Sequence, residues 1–345
     1  PLARRADIES RHEAVEALIG DYTLGQALQG LLQGISDIER LMSKISYGTI
    51  NGRDCLALSD TFCRVPEIAR LLRPVKAPLL DQLREALDPL PELCALIARM
   101  IDPETPIALT EGGVIRDGYN AELDGYRSAA RDGKQWIADV EASEREATGI
   151  KNLKVGYNRV FGYYLEVTKS NYDLVPYRYQ RRQTLANCER YVTPELQEIE
   201  QKIVGSEEKA VRLEQQLFAA LRDWLGEHMQ RMQRTSQALK QLDALCSLAL
   251  TAQEHGYVRP LMNEDGIIDI KDGRHPVVET TLADELFVPN DTLLDCGDNR
   301  MQIITGPNMA GKSTYMRQVA LIALMAHVGS FVPAREANIC LVDRL

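Results

Sequence analysis

The sequence predicts a mixed, predominantly α protein in three parts: a helical region, two long antiparallel helices carrying a small β-rich insert, and an α/β phosphate-binding region. Three observations support this. Leu, Ala, Glu and Arg are plentiful, while aromatic residues make up only 6% of the 345 residues, a composition suited to helices. Apolar residues recur at three- and four-residue spacing over most of the chain, and the rhythm changes to alternation only between about 153 and 167. A G-x-x-x-x-G-K-S loop begins at Gly306 between a strand-like and a helix-like stretch.

Residues 1 to about 110 are expected to form several helices, with Leu28, Leu31, Leu32, Ile35, Ile38 and then Leu41, Met42, Ile45 in helical rhythm. Pro66, Pro74, Pro78, Pro89, Pro91, Pro103 and Pro106 are expected to break the later part. A long helix follows from about Asp117, a capping residue, to Gly149, a C-terminal stop. A second starts at Thr193-Pro194-Glu195, with a capping Thr, Pro at the first helical position and an acid in the first turn. Its apolar stripe runs from Leu196 through Met232, so it would exceed a small domain in length. Trp136 and Trp224 lie on helical stripes and are expected in the core. Between the two helices, Leu153, Val155, Tyr157 and Tyr163, Leu165, Val167 alternate as half-buried strands do, with bends at Gly156 and Gly162. After about Leu261, strands are expected at 267–270, 277–278, 301–305 and 339–342.

Net charge is −10, which argues against a surface coated in nucleic acid. The average hides a contrast. Residues 151–192 hold eight basic and three acidic side chains, a net of +5 that leaves −15 for the rest. Seven of the thirteen tyrosines lie there too. Lys154, Arg159, Lys169, Arg178, Arg181 and Arg182 are the candidate phosphate contacts, with Tyr hydroxyls able to assist. On composition alone, a polyanion contact and a solvated basic face over a Tyr-packed sheet both remain open.

In Gly306-Pro307-Asn308-Met309-Ala310-Gly311-Lys312-Ser313, followed by Thr314, each residue type has a physical reason. Glycines let backbone N–H groups curl around phosphate, and a helix start supplies unpaired donors. Lys312 can reach the β- and γ-phosphates, and the Ser313 hydroxyl can ligate Mg²⁺. ATP or ADP with Mg²⁺ is therefore the expected cofactor. Asp343 ends an apolar run but follows Lys312 too closely for a second nucleotide motif, and is expected merely to end a strand. No catalytic residue is assigned, so weak nucleotide binding without turnover is expected.

The seven cysteines show no C-x-x-C spacing, which favours reduced thiols over a zinc or redox site. His12, His228, His255 and His327 are expected at the surface or in packing, and His275 in a loop. No apolar run is long enough to cross a bilayer. Pro1 in place of Met, and a stop at Leu345 directly after a strand-like run, lead to the expectation that both ends are cuts in a longer product.

Several stretches together resemble the MutS family of DNA mismatch-repair ATPases. They are Thr305 to Gln318 (TGPNMAGKSTYMRQ), Gly329 to Ala334 (GSFVPA), Gly273 to Glu279 (GRHPVVE), Lys154 to Asn158 with Gly162-Tyr163-Tyr164, and Arg181 to Tyr191. The Gly-Pro-Asn-Met form of the loop is far more specific than a generic phosphate loop; Ala310 stands where many relatives carry Gly. The resemblance implies a helical core or lever over 1–148, a DNA clamp over 149–192, returning lever helices over 193–258 and the first part of an ABC-type ATPase domain over 259–345. It implies that the clamp, Asn158 included, touches the backbone of mismatched double-stranded DNA. It places Phe287 and Val288 at the adenine and Asn308 at phosphate. It further implies a homodimer, a MutL-type partner and a bacterial cytosol or nucleoid setting. The family's mismatch wedge, Phe-x-Glu, is not found after any of the five phenylalanines. The competing reading is an arm-bearing P-loop ATPase of the chromosome-organising type whose tip binds a protein.

Overall fold

The computed structural model describes residues 4–158, 160, 162–282 and 287–343. It is mostly helical with two small sheets. In chain order the elements are α1 (Arg5–Ile19), α2 (Tyr22–Gln33), α3 (Ile38–Ser46), α4 (Gly52–Leu72), α5 (Pro78–Ala86), α6 (Pro91–Met100) and α7 (Ala121–Thr148). There follow β1 (Lys154–Asn158), β2 (Gly162–Thr168), β3 (Gln180–Thr184), β4 (Cys188–Val192), α8 (Pro194–Glu227) and α9 (Met229–His255). The chain then forms β5 (Leu261–Asn263), β6 (Ile268–Gly273), α10 (Pro276–Thr281), β7 (Asn290–Leu294), α11 (Lys312–Val328) and β8 (Glu336–Cys340). Among the described residues no helix is long and apolar enough to cross a membrane.

Residues divide into two compact units: 1–43, 60–94 and 228–345 form one, and 44–59 with 95–227 the other. In the second unit α7 and α8 are antiparallel. Arg127 meets Glu214 at 2.7 Å, whereas six residues later Gly133 packs on Ile203, so the partner number falls as the α7 number rises. Gly133 is what permits this approach, because a Cβ there would overlap Ile203 Cγ1. Asn120, not Asp117, caps α7, accepting from the N–H groups of Glu122 and Leu123 at 3.0 Å; Asp117 instead pairs with Arg127. Gly149 ends α7 in the left-handed conformation at φ 71°. Thr193 caps α8 as expected, accepting from Leu196 N–H at 3.2 Å. The apolar stripe does not keep one helix intact to Met232: α8 stops at Glu227 and α9 restarts after His228. Trp136, expected in the core, is 42% exposed, beside Lys202 and Lys209.

The insert is a sheet ordered β1-β2-β4-β3, antiparallel throughout. One face packs Leu165, Val167, Tyr179 and Tyr191 with Ile137 of α7 and Leu196 and Ile203 of α8.

In the first unit, α9 supplies a buried stripe that includes Leu239, Leu242, Leu245 and Leu250. Pro66 does not break α4, whose neighbours Phe62, Val65 and Ile68 are fully buried; packing outweighs one lost hydrogen bond. Pro78 and Pro91 do start helices. The second sheet is ordered β5-β8-β6-β7, with β5 parallel to β8 and the other pairs antiparallel. Ile322, Ala323 and Ala326 of α11 pack on it with Ile8 of α1.

Two expected strands do not form. Val277 and Val278 lie in α10, because the His275 ring accepts from both their N–H groups through Nδ1 at 3.3 and 3.2 Å and so caps a helix. His275 lies in the loop before α10, as expected, and is buried there. Residues 301–305 join no ladder, and Met301 and Ile303 are 79% and 82% exposed. Apolar β-branched residues give strand propensity, but a strand exists only with a hydrogen-bonded neighbour, which propensity does not supply.

Candidate functional site

The candidate phosphate loop, Gly306 through Ser313, stands at the head of α11. Met309 and Gly311 have φ of 66° and 81°, so the chain turns tightly before Lys312 opens the helix. The Lys312 ammonium folds back over the loop, donating to the carbonyls of Gly306 at 2.7 Å and Pro307 at 2.5 Å. The loop from Gly306 through Gly311 is exposed, as is Ser313, while Thr314 is half-buried.

The helix below is fixed at several points. The Tyr315 hydroxyl bonds Thr292 Oγ1 at 2.9 Å and donates to Asp291 O at 3.2 Å, tying α11 to β7. Phe287 and Val288 precede that strand; Phe287 is half-buried and Val288 is 77% exposed. At the other end Arg11 donates to Val328 O at 2.9 Å. His327, fully buried, sits 2.7 Å from Ala323 O through Nδ1 and accepts from Val342 N–H through Nε2 at 3.2 Å, which fixes its tautomer.

The donors present suit a nucleotide's phosphates: a cation, a glycine-permitted turn and the N-terminus of a 17-residue helix. Ser313 could join a metal already carried by phosphate. No group of three or more His, Cys, Asp or Glu side chains among the described residues could hold a metal alone. Asp343 lies exposed beyond β8.

The basic insert is divided between two faces by strand register. Lys154, Glu166, Arg190 and Gln183 stand opposite one another across four strands. Arg190 joins Glu166 at 3.4 Å and donates to Gln183 Oε1 at 2.9 Å, with its guanidinium 4.2 Å above the Tyr164 ring. That ring lies flat because β1 carries Gly156 beside it; a Cβ there would come within 2.7 Å of ring atoms.

The neighbouring residues Val155, Leu165, Tyr191 and Arg181 form the next row, on the opposite face. Lys154 and Arg181 therefore do not share a face. A bulge between Arg181 and Gln183 frees Arg182, which lines a groove of about 670 Å³ with Tyr157 and Glu200. The Asn158 side-chain Oδ1 accepts from Val160 N–H at 2.8 Å in the β1–β2 turn. Lys169 is exposed at the start of a 3-10 turn. Arg159 lies outside the described residues.

Two candidate arginines are held by acids the sequence reading passed over. Arg178 bonds Glu144, and Arg181 meets Glu189 at 3.3 Å. Both acids are buried, at 4% and 7% exposure. Each also accepts a phenol: Tyr179 on Glu144 at 2.9 Å and Tyr191 on Glu189. Burial, then the carboxylate, pushes the Tyr191 phenol up to about 12 and Tyr179 higher still. The Tyr191 hydrogen bond, then Thr184 and Arg181, hold Glu189 below the usual range despite its burial. A signal existed for both. Glu144 continues the buried helical spacing of Ile137 and Val140, and Glu189 shares a strand face with Tyr191.

The chain thus carries a G-x-x-x-x-G-K-S run at the head of a helix and, in its other compact unit, a basic antiparallel sheet on a pair of long helices. Residues 1–249 match the family model described as MutS domain III, and residues 302–345 match MutS domain V. Along all 345 residues the chain is 50% identical to the DNA mismatch repair protein MutS of Acetivibrio thermocellus and 52% identical to that of Ruminiclostridium cellulolyticum, covering 40% of each. It is 50% identical to the protein of the same name from Halothermothrix orenii, covering 38%. The chain belongs to the MutS family. It spans about 40% of the length of these curated relatives. The matches favour the repair family over the chromosome-organising alternative.

Proposed function

We propose that this chain is the DNA-gripping and phosphate-holding portion of a mismatch-repair ATPase. The observation that carries the proposal is identity of about 50% along the whole chain, loop and basic insert included, to relatives named DNA mismatch repair protein. Residues 1–148 and 193–258 form the core and lever, 149–192 the clamp, and 259–345 the first part of an ATPase domain. Lys154, Asn158, Arg159, Lys169, Arg178, Arg181 and Arg182 touch the backbone of duplex DNA. Such contacts position a protein without reading sequence.

Gly306 through Thr314 bind the phosphates of ATP or ADP, with Lys312 as the charge and Ser313 toward Mg²⁺. Phe287 and Val288 flank the adenine. Bound Mg²⁺ would neutralise charge on the phosphates. The loop's feeding segment, 301–305, joins no strand ladder, so the loop is held by α11 and the Gln302 side-chain bonds rather than by a sheet. Mismatch discrimination, hydrolysis, dimerisation and partnership with a MutL-type protein belong to the full-length protein, acting in the bacterial cytosol.

Two titrations test this. The chain should bind a labelled 30-base-pair duplex with an affinity on the order of 10⁻⁴–10⁻⁶ M at physiological salt, falling steeply as salt rises. It should bind a fluorescent ATP analogue weakly, without turnover, and lose that binding on Lys312→Ala. Duplex binding indifferent to salt, or nucleotide binding indifferent to Lys312, would overturn the respective half.

A further inference from the structure

Among the candidate phosphate contacts of the insert that the structure describes, Arg178 and Arg181 differ from Lys154, Lys169 and Arg182. Lys154, Lys169 and Arg182 stand in solvent without an ion pair among the described residues. Arg178 and Arg181 have side chains 53% and 64% exposed, yet each rests on a buried carboxylate. The two acid–tyrosine pairs adjoin, with the Tyr179 and Tyr191 ring centroids 5.7 Å apart. Glu144, Tyr179, Tyr191 and Glu189 thus form one continuous frame with an arginine at each end.

A buried carboxylate satisfied only by an exposed arginine would be poorly stabilised. Here a phenol from the core supplies part of each acid's hydrogen bonding, and Thr184 adds a bond to Glu189 at 3.3 Å. The frame is therefore set from inside. A guanidinium presents five donors in a fixed plane. Holding one edge against a rigid acceptor orients the rest outward and removes rotamer freedom before any ligand arrives.

We propose that Glu144 and Glu189 are positioning residues for DNA-backbone binding, presenting Arg178 and Arg181 as pre-oriented forks for phosphate. This rests on the DNA-clamp reading above. It opposes a simpler role in which each acid cancels its arginine's charge. The two roles predict opposite signs. If the acids only neutralise, removing their charge tightens DNA binding and steepens its salt dependence. If they position, removing it weakens binding although net charge becomes more favourable.

The test uses the full 345-residue chain and anisotropy of a labelled 30-base-pair duplex over a salt series. Glu144→Gln and Glu189→Gln keep shape and remove charge. Each should weaken binding about fivefold, a contact-level coupling, with a slope no steeper than the parent's. The effect of Glu189→Gln should vanish in an Arg181→Ala background, and that of Glu144→Gln in Arg178→Ala. Tighter binding with a steeper slope overturns the proposal, as does weakening that persists without the arginine, which is a merely structural effect.

Should the Gln variants fail to fold, Tyr179→Phe and Tyr191→Phe keep ring packing and acid while removing the phenol donor. Unchanged affinity in both overturns the proposal. A Lys154→Gln, Lys169→Gln, Arg182→Gln triple variant tests the DNA reading alone. If it binds as tightly as the parent, both fall; if it weakens while the Glu and Tyr variants do not, only the positioning role falls.

Discussion

Acidification should destabilise the unit that holds α11 through one histidine. His12 is fully buried on α1, its ring 6.4 Å from that of Phe331. Neither ring nitrogen has a hydrogen-bond partner. Burial, then the nearby Arg259 charge, lowers its pKa from 6.5 to about 4; the carbonyls of Ser330 and Ala326 favour the proton but close no bond. The folded pKa is depressed, so the folded state prefers the neutral ring. That stability is complete above about pH 6.5 and is lost as pH falls toward about 4. At 1.36 kcal/mol for each tenfold change in proton affinity, the full loss is about 3 kcal/mol, with about 2 already gone at pH 5. Carboxylates also titrate in this window, so the measurement is a difference. Urea unfolding of the parent and of His12→Leu, followed from pH 7.5 to 4.5, should show the gap between the curves moving in the variant's favour by that amount. Parallel curves would refute the argument, as would an imidazole proton resonance showing His12 titrating near 6.5.

Three further outcomes follow from the packing. Gly133→Ala forces a methyl into Ile203, so it should lower stability by about 1–3 kcal/mol, and Ile203→Ala, which removes the clashing Cγ1 and Cδ1, should cost less in the Gly133→Ala background than in the parent in a thermal melt. Gly156→Ala should displace Tyr164 from under Arg190 at a similar cost of about 1–3 kcal/mol. Lost near-ultraviolet dichroism from that tyrosine would report it, and an unchanged signal would count against the stacked arrangement. Glu214, 2% exposed, accepts from Arg127 and from the N–H groups of Gly113 and Val114 at 3.0 and 2.8 Å. Glu214→Ala leaves the Gly113 and Val114 N–H groups without their acceptor and Arg127 with Asp117 as its remaining acid, and should cost about 1–3 kcal/mol in chemical denaturation, whereas Glu214→Gln should cost visibly less.

Much of this chain was legible from residues alone, because the relevant signals are local. Gly149 and Thr193 bracket the insert with a left-handed stop and a side-chain cap, and both act within a few residues of themselves. Alternation at Leu165 and Val167 follows from strand geometry and puts both in the core. The Gly306–Ser313 run is contiguous, and its left-handed turn at Gly311 and the helix start at Lys312 are set by adjacent backbone.

What depends on distant partners was not legible. Residues 301–305 carry strand propensity without a neighbour to bond. Pro66 is tolerated because Phe62, Val65 and Ile68 are buried around it. His275 caps a helix that a pair of valines had made look like a strand. Above all, the sequence determined that residues 151–192 are basic, but charge can be counted without knowing what it faces. Only the tertiary structure decided that Arg178 and Arg181 lean on buried acids while Lys154, Lys169 and Arg182 do not. An ion pair is set by distance and dielectric between elements that the chain separates, by 34 residues for Arg178 and Glu144 and by 8 for Arg181 and Glu189.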